Sequence, residues 1–556
     1  MRHVVPDSNH RKRFASWFAA LTRASKMGAA RNPETLNTRA AGIIGLAVMC
    51  SRLLGQAREQ IFAALFGGGR YMDAFTAAFR IPNLLRDLFA EGALSTAFVT
   101  TFSKTAVQSE TAAWQLANRI VTLAAVTMSA VTLVGILASP WIVSILAPGF
   151  DPEKIALTVA LTRIMFPSIL LVSLAAVVMG MLNSRNVFGM PALASSFYNL
   201  GAIVAGVGIG WWLDPQFGPR ALTGLAIGTL VGSALQLAVQ LPGLARLGYV
   251  FRPDFRWRDA GVKTVLLLMG PSVVAASSTQ INVMVNTAFA SSFGDGPVFW
   301  LSIAFRLMSL PLGLFGVALG TVSLPMLSRL IASGDPAGFR SELARSMRLS
   351  FLMTIPASLG LMLLAEPIIS VLYQHGKFSA WEAAQAAGAL RFYAVGLCGY
   401  AALKVLVNAF YVIDRRKTPM VISIIAIGLN LLVNWIFTFH LDWGFRGLAF
   451  STSCIATINF VILYALMHRQ LGHFETAAMV KLWGRVLIAG AVLAAICWAG
   501  NYWLLGDWAT MRFLPKFAAL LAVIVAAGGG FFFCAGLLGV AEVNSLIAAF
   551  RSRLRR

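Results

Sequence analysis

SRLLGQAREQIFAALFGGGRYMDAFTAAFRIPNLLRDLFAE, residues 51–91, decides how this chain is read. It carries nine charged side chains, Arg52, Arg58, Glu59, Arg70, Asp73, Arg80, Arg86, Asp87 and Glu91, between flanks that read as membrane spans. A charge at membrane depth costs about 2.5–3.5 kcal/mol on insertion scales, so such groups normally face water and handle a substrate or an ion. Five of the nine are basic and four acidic. The block nearly compensates itself while keeping guanidinium groups to spare, which suits a polar cavity for an anionic ligand.

The surroundings are those of a membrane protein. The chain has 556 residues, of which 58% are hydrophobic and only 12% charged, and its mean hydropathy is +0.75. A span needs about 20 mostly apolar residues. Fourteen stretches qualify as candidate helices, at 38–66, 72–103, 114–146, 155–182, 187–212, 220–245, 261–292, 297–331, 340–373, 380–413, 418–440, 443–471, 480–503 and 513–541. Strand-type alternation is absent, which argues against a β-barrel. The expected fold is therefore an all-α integral membrane protein of fourteen transmembrane helices.

Its expected organisation is a basic tail (1–37), an N-terminal lobe of six helices (38–245), a linker loop (246–262), a C-terminal lobe of six helices (263–471), two further helices (472–541) and a basic C-terminus (542–556). The two-lobe division rests on a repeated design. In each lobe a polar-dotted helix precedes one with an arginine shortly before a proline: Arg80 and Pro82 in the first, Arg306 and Pro311 in the second. Transporters often bind substrate between such repeats.

A net charge of +23 would suit a nucleic-acid partner, but its distribution does not. Alternate loops collect it: Arg246, Arg252, Arg256, Arg258 and Lys263; Arg329, Arg340, Arg345 and Arg348; Arg415, Arg416 and Lys417; Arg469 and Lys481. Both termini are basic as well, and the intervening loops are poor in positive charge. This is the positive-inside pattern, which places both termini in the cytoplasm and the basic loops against anionic lipid. The run Phe14–Leu21, interrupted by Arg23 and Lys26, is too short for a secretory signal core, and either Met1 or Met27 suits a start. The cysteines Cys50, Cys398, Cys454, Cys497 and Cys534 lie scattered in apolar helices without metal-binding spacing. No histidine pair, Walker loop or nucleophile motif appears, so neither an enzyme nor an ATP-driven pump is expected, and no cofactor is implied.

On a helix of 3.6 residues per turn, Arg52, Gln56 and Glu59 share a face, with Arg58 a third of a turn away. Asp73, Arg80, Asp87 and Glu91 share another, with Asn83 beside them and Pro82 set to kink the helix. Gly67–Gly69 supplies the turn between the two. Arginine grips phosphate bidentately and keeps its charge at any physiological pH. Arg52, Arg58 and Arg306 are thus candidates to hold a diphosphate, with Asp73, Glu59 and Glu91 orienting them; Ser51, Arg80 and Lys404 are supporting polar groups. Arg306 stands out because it sits alone among Ile303, Ala304, Phe305, Leu307 and Met308. Arg70 and Asp87 read as helix staples, and Glu366 with Tyr373–Phe378 as a helix end at the outer surface.

These residues also resemble a known family. SRLLGQAREQIFAALFGGG (51–69), DAFTAAFRIPNLLRDLFAEGALSTAFV (73–99), LAPGFDPEKIALTVALTRIMFPSILL (146–171), PLGLFGVALGTVSLPMLSR (311–329) and LLAEPIISVLYQHGKF (363–378) are similar to the MurJ/MviN family, flippases for lipid II, the undecaprenyl-diphosphate-linked peptidoglycan precursor. The resemblance runs from about residue 38 to 475. It implies membership of the multidrug/oligosaccharidyl-lipid/polysaccharide exporter superfamily, two lobes around a cationic cavity, and alternation between inward- and outward-open forms.

It also implies functional roles for Arg52, Arg58, Arg86, Arg306, Asp73, Asn83 and Glu91, and a lipid-tail groove on the last two helices. Thr100 and Ser309 depart from the family pattern. The positions linked elsewhere to sodium offer Asn282, Asn286 and Asn408 without a clear acid, which argues against sodium coupling and leaves membrane potential or another cation as the energy source. The expected partners are lipid II, membrane lipids and the cell-wall synthesis machinery, in the bacterial cytoplasmic membrane. Rival readings are a flippase for another polyprenyl-diphosphate oligosaccharide, a drug antiporter, which the arginines oppose, and a non-transporting cell-wall scaffold.

Overall fold

The computed structural model describes residues 38–87, 94–471, 476–506 and 511–543. Glu91, the basic tail 1–37 and nearly all of the basic C-terminus lie outside the described residues. Helices run in the order α1 (Thr38–Phe66), α2 (Arg70–Leu85), α3 (Ser95–Gln108), α4 (Glu110–Leu146), α5 (Pro152–Met165), α6 (Ser168–Ser184), α7 (Gly189–Leu213), α8 (Ala221–Ala238), α9 (Leu241–Arg246) and α10 (Ala260–Ser291). They continue with α11 (Pro297–Pro311), α12 (Ala318–Ala332), α13 (Pro336–Leu363), α14 (Ala365–Tyr373), α15 (Ala380–Val395), α16 (Leu397–Val412), α17 (Lys417–Trp435), α18 (Gly444–Leu471), α19 (Thr476–Trp503) and α20 (Phe513–Leu537). No strand occurs among the described residues. The fold is all-α, as the composition led one to expect.

Among the described residues, ten helical segments are long and apolar enough to cross a bilayer, or eleven when the bent pair α15–α16 counts as one span. The other three of the fourteen stretches correspond to α1, α2–α3 and α10. The first two carry the charged block, and all three stay candidate spans on the sequence.

The chain divides into two compact units. One is Pro33–Phe299 with Tyr373–Glu382; the other takes in Trp300–Leu372 and Ala383–Arg556. Residues 263–299, which the sequence reading grouped with the second lobe, pack here with the first. The reason is apolar: Val262 and Val265 at the start of α10 are fully buried beside Leu116, Ala117, Val177 and Met181 of α4 and α6.

In this first unit, α7 and α8 pack most closely. Gly224, Gly228 and Gly232 recur every fourth residue on α8. A Cβ at Gly224 would lie 2.3 Å from the Gly210 nitrogen, and one at Gly228 2.4 Å from Gly206 Cα. Small residues at this spacing let two backbones touch where lipid supplies no hydrophobic drive. Tyr373–Glu382 lies over the α1–α2 turn. There the Lys377 N–H donates to the Ala64 carbonyl (2.7 Å) and the Gly68 N–H to Glu382 Oε1 (2.8 Å). Gly376 has φ +58°, and a Cβ there would fall 2.2 Å from the Ala64 oxygen, so both conformation and space demand glycine.

In the second unit, α13 is the central helix. Its Phe339, Leu343, Met347 and Phe351 are buried with Leu406 and Phe410 of α16 and Leu463 and Met467 of α18. The last two helices pack through Val486 and Leu493 of α19 and Val523 and Phe531 of α20, against Leu352 and Leu364.

Each unit contains a helix broken after a proline. Pro82 lies inside α2, and a widened turn follows at Arg86–Asp87. Pro311 ends α11, and a π-helical segment follows at Leu312–Val317. A proline cannot donate the ladder hydrogen bond, and wide turns of this kind frequently mark functional positions.

Candidate functional site

The charged block separates into three groups of different character, all in the first unit. The first is a buried staple. Asp73, in the first turn of α2, is 0% exposed. Its Oδ2 accepts from Lys154 Nζ at 3.0 Å and from the Gly296 N–H at 2.7 Å, and its Oδ1 accepts from the Phe299 N–H at 2.8 Å. Gly296 and Phe299 flank the start of α11, so a carboxylate from one helix caps the N-terminus of another, where backbone donors and the helix dipole favour a negative charge. Lys154, 1% exposed, also donates to Asp295 Oδ1 at 2.8 Å and lies 4.0 Å from the centre of the Phe150 ring. A buried charge set of this kind is tolerated only when nearly every oxygen and proton has a partner.

The second group is superficial. Arg70 grips Asp151 through two hydrogen bonds of 2.6 Å and reaches Glu153 at 3.1 Å. The Arg70 guanidinium beside it holds the Asp151 carboxyl well below the usual carboxylate range, at about 2. Both Arg70 and Asp151 are partly exposed, and exposed pairs contribute little to stability.

The third group surrounds a cleft. Phe79, Asn83 and Arg86 of α2, Ser168 of α6 and Tyr198 of α7 are among the walls of this narrow cleft, whose free volume of about 10 Å³ has room for roughly one water. Arg58 stands behind two of those walls. Its guanidinium carbon is 5.7 Å from the Phe79 ring centre and 5.6 Å from that of Tyr198, and its Nη2 donates to Glu59 Oε1 at 3.0 Å. Rings on both sides hold the cation in place while leaving most of its donors unspent.

Asp87 organises the opposite wall. It accepts from Asn83 Nδ2 at 3.2 Å, from Arg86 Nη2 at 3.1 Å and from Gln280 Nε2 of α10 at 3.0 Å. The widened turn after Pro82 thus presents Asn83 and Arg86 to the cleft with their side chains already ordered. Two guanidinium groups, one carboxamide and two aromatic faces are what a phosphorylated head group requires. Amide and guanidinium donors meet oxygen, although each arginine here already has an acid beside it, Glu59 for Arg58 and Asp87 for Arg86.

The structure therefore gathers Arg58, Glu59, Asn83 and Arg86 from the sequence-expected set and sends Asp73 elsewhere. Ser51 is half-buried, and its carbonyl accepts from Asn199 Nδ2 at 3.2 Å. Arg52 is exposed and Arg80 half-buried. In the other unit, Arg306 is half-buried on α11 and Lys404 exposed on α16. Arg391 pairs with Glu366 at 3.2 Å, a surface contact at a helix end. Sequence reasoning missed Tyr198 and Phe79 as clamps on Arg58, and Gln280 as a partner of Asp87. Nor did it single out Lys154, the buried partner of Asp73. The one signal available was its place in the first turn after the helix-capping Asp151, where a side chain can turn inward. No cluster of His, Cys, Asp and Glu able to hold a metal ion occurs among the described residues.

Residues 62–519 match the family model described as lipid II flippase MurJ. The chain belongs to that family. It is 35% identical over 476 residues to the lipid II flippase MurJ of Burkholderia cenocepacia, covering 84% of this chain and 90% of the relative. It is 31% identical over 505 residues to a probable lipid II flippase MurJ of Buchnera aphidicola, covering 90% and 97%. Among solved structures, a lipid II flippase MurJ in an inward closed conformation superposes with a TM-score of 0.70 at 25% identity, covering 88% of this chain and 98% of the other. An inward-facing multidrug transporter of the MATE family, in the MOP superfamily, superposes at 0.64 with 13% identity, covering 82% and 98%, which shows a shared fold. The MurJ family and its superfamily fold, expected from the residues, are both borne out.

Proposed function

We propose that this protein moves lipid II, the undecaprenyl-diphosphate-linked peptidoglycan precursor, from the cytoplasmic to the outer leaflet of the bacterial inner membrane for cell-wall synthesis. The observation that carries the reading is the ordered polar cleft lined by Asn83 and Arg86, with Arg58 behind its Phe79 and Tyr198 walls, in a chain at least 30% identical to named lipid II flippases over most of its length. The diphosphate binds at the cleft through Arg58 and Arg86, with Asn83 supplying a neutral donor. Arg52 and Arg306 are further substrate contacts, proposed on the family resemblance, and Glu59 holds Arg58 in register. Asp73 acts at a distance by keeping the start of α11 in place.

No covalent bond is made or broken, so the protein is a transporter and not an enzyme. Both termini lie in the cytoplasm, following the distribution of basic loops. The last two helices, α19 and α20, accommodate the lipid tail. Binding alone shifts an alternating-access equilibrium only by its differential affinity for the two states. The excess cationic charge lets membrane potential, worth about 2.3 kcal/mol per charge per 100 mV, reset the cycle.

The decisive experiment is lipid II translocation by reconstituted protein with Arg52, Arg58, Arg86 and Arg306 replaced singly by Ala. Loss of translocation at unchanged abundance is expected. Undiminished translocation by all four would leave only a scaffold role.

A further inference from the structure

We infer that the connection between α9 and α10, residues 247–259, is an interfacial anchor that docks onto the anionic phospholipid head groups of its own leaflet. The charge distribution places this basic loop near anionic lipid but does not make it an anchor, because the stretch also contains two acids, Asp254 and Asp259, that could cancel its arginines. The structure turns both acids inward. Arg119 of α4, 9% exposed, meets Asp254 at 3.0 Å and Asp259 at 2.8 Å. The Arg256 hydrogen bonds to Asp254 hold that carboxyl well below the usual carboxylate range, so it stays ionised and engaged.

The backbone is hooked down at the same place. Asn118 Oδ1 accepts from the Tyr249 hydroxyl at 2.7 Å and from the Arg252 N–H at 3.2 Å, while Thr122 Oγ1 accepts from the Asp254 N–H at 3.1 Å. The connection is a shaped strap, with its acids and hydrogen-bonding groups spent on α4.

What remains faces outward, with Gly248, Val250 and Pro253 exposed beside residues of two main kinds. Phe251, Phe255 and Trp257 are 48%, 64% and 36% exposed. Arg252 and Arg258 alternate with them and are exposed, as are Arg246 and Lys263 at the two ends. The strap begins where a membrane-length helical segment, Ala221–Arg246, ends, so it sits at the height of the lipid head groups. Aromatic rings there partition into the interface, and juxtamembrane lysines and arginines are drawn to anionic lipid. Charge complementarity thus favours the leaflet over an acidic protein, which would have no use for three exposed rings interleaved with the cations at that depth.

The test uses full-length protein in nanodiscs, with lipids brominated near the carboxyl end of the acyl chain as the quencher. Trp257 fluorescence is isolated as the difference between the native chain and W257F. Quenching of that component is expected in phosphatidylglycerol discs. It is expected to be largely lost in phosphatidylcholine discs and in the surface variant R252Q/R258Q, each arginine removed weakening head-group retention about fivefold. Unchanged unfolding midpoints for R252Q/R258Q would show that the fold is intact. Trp257 unquenched in both lipids, or equally quenched in both, would overturn the inference. So would a Trp257 that responds only when an acidic soluble protein is added.

Discussion

The two compact units bury polarity in opposite ways. In the Pro33–Phe299 unit the buried polar residues include full charges: Asp73 at 0% exposure, Lys154 at 1%, Arg58 at 8% and Arg119 at 9%. In the Trp300–Arg556 unit the helix-interior polarity is mostly neutral. Asn430 and Asn434 of α17 are 1% and 0% exposed, with Ser451 of α18 at 0%. The Asn434 Nδ2 donates to Asn430 Oδ1 at 3.0 Å. The buried charges among its described residues include Glu542, which pairs with the half-buried Arg348 of α13 (2.6 Å), and Lys516 near the start of α20, bound to Ser370. The difference shows two uses of a buried charge within one unit. Asp73 and Lys154 neutralise each other across helices and fasten them, whereas Arg58 and Arg86 pair with their chain neighbours Glu59 and Asp87, beside a cleft.

The strongest way to break this contrast is at the staple. Replacing Lys154 with Met leaves Asp73 buried without its counter-ion and should cost about 3–5 kcal/mol. The measurement is thermal unfolding in detergent, and D73N/K154M should recover much of the loss. A K154M protein as stable as the native chain would mean that the pair fastens nothing.

The next effect is functional. Arg58→Ala removes charged hydrogen bonds worth about 1.5–3 kcal/mol, so lipid II affinity should fall about 10- to 100-fold. Arg70→Ala, from the superficial group, should leave affinity within about twofold, because exposed ion pairs contribute under about 1 kcal/mol. Equal losses from the two would erase the distinction between cleft and surface. In the neutral unit, Asn434→Ala deprives Asn430 of a donor and should lower stability by about 1–3 kcal/mol, less than K154M and with little change in lipid II affinity.

The smallest effect concerns Asp151. Its folded carboxyl sits at about 2, below the ordinary value of 3.8. The stability it contributes is fully present above about 4 and is lost as pH falls towards 2. Asp151→Asn should flatten the pH dependence of unfolding across that acid window, and near neutrality should lower stability slightly without changing its slope with pH. A changed slope near pH 7 would contradict the assignment of this pair.

Much of this was legible in residues 51–91. Charges that recur on helical faces within an apolar chain have few physical explanations, and the run RIPNLLRDLFAEGALS is specific enough to point to a family. The sequence does not tell which acid meets which base. Asp73 and Arg86 look alike as intramembrane charges, yet one is capped by Lys154 from 81 residues further on and the other lines a cleft. The Arg58 clamp was equally invisible, because an aromatic residue on an apolar helix ordinarily signals packing, and Tyr198 lies far from Arg58 in the chain. The glycine spacing on α8 was readable but was passed over, since Gly-rich spans are common in membranes.

The chain alone thus determined its class, its helical content, its family and the stretch that bears chemistry, because hydropathy, charge and local spacing are properties of neighbouring residues. Tertiary structure decided the partners: Lys154 for Asp73, two aromatic rings for Arg58, Asp87 and Gln280 for the cleft wall, Arg119 for the acids of the α9–α10 strap. Those choices turn on which side chains meet across helices. At low dielectric a matched or unmatched charge differs by several kcal/mol, far more than any local preference can encode.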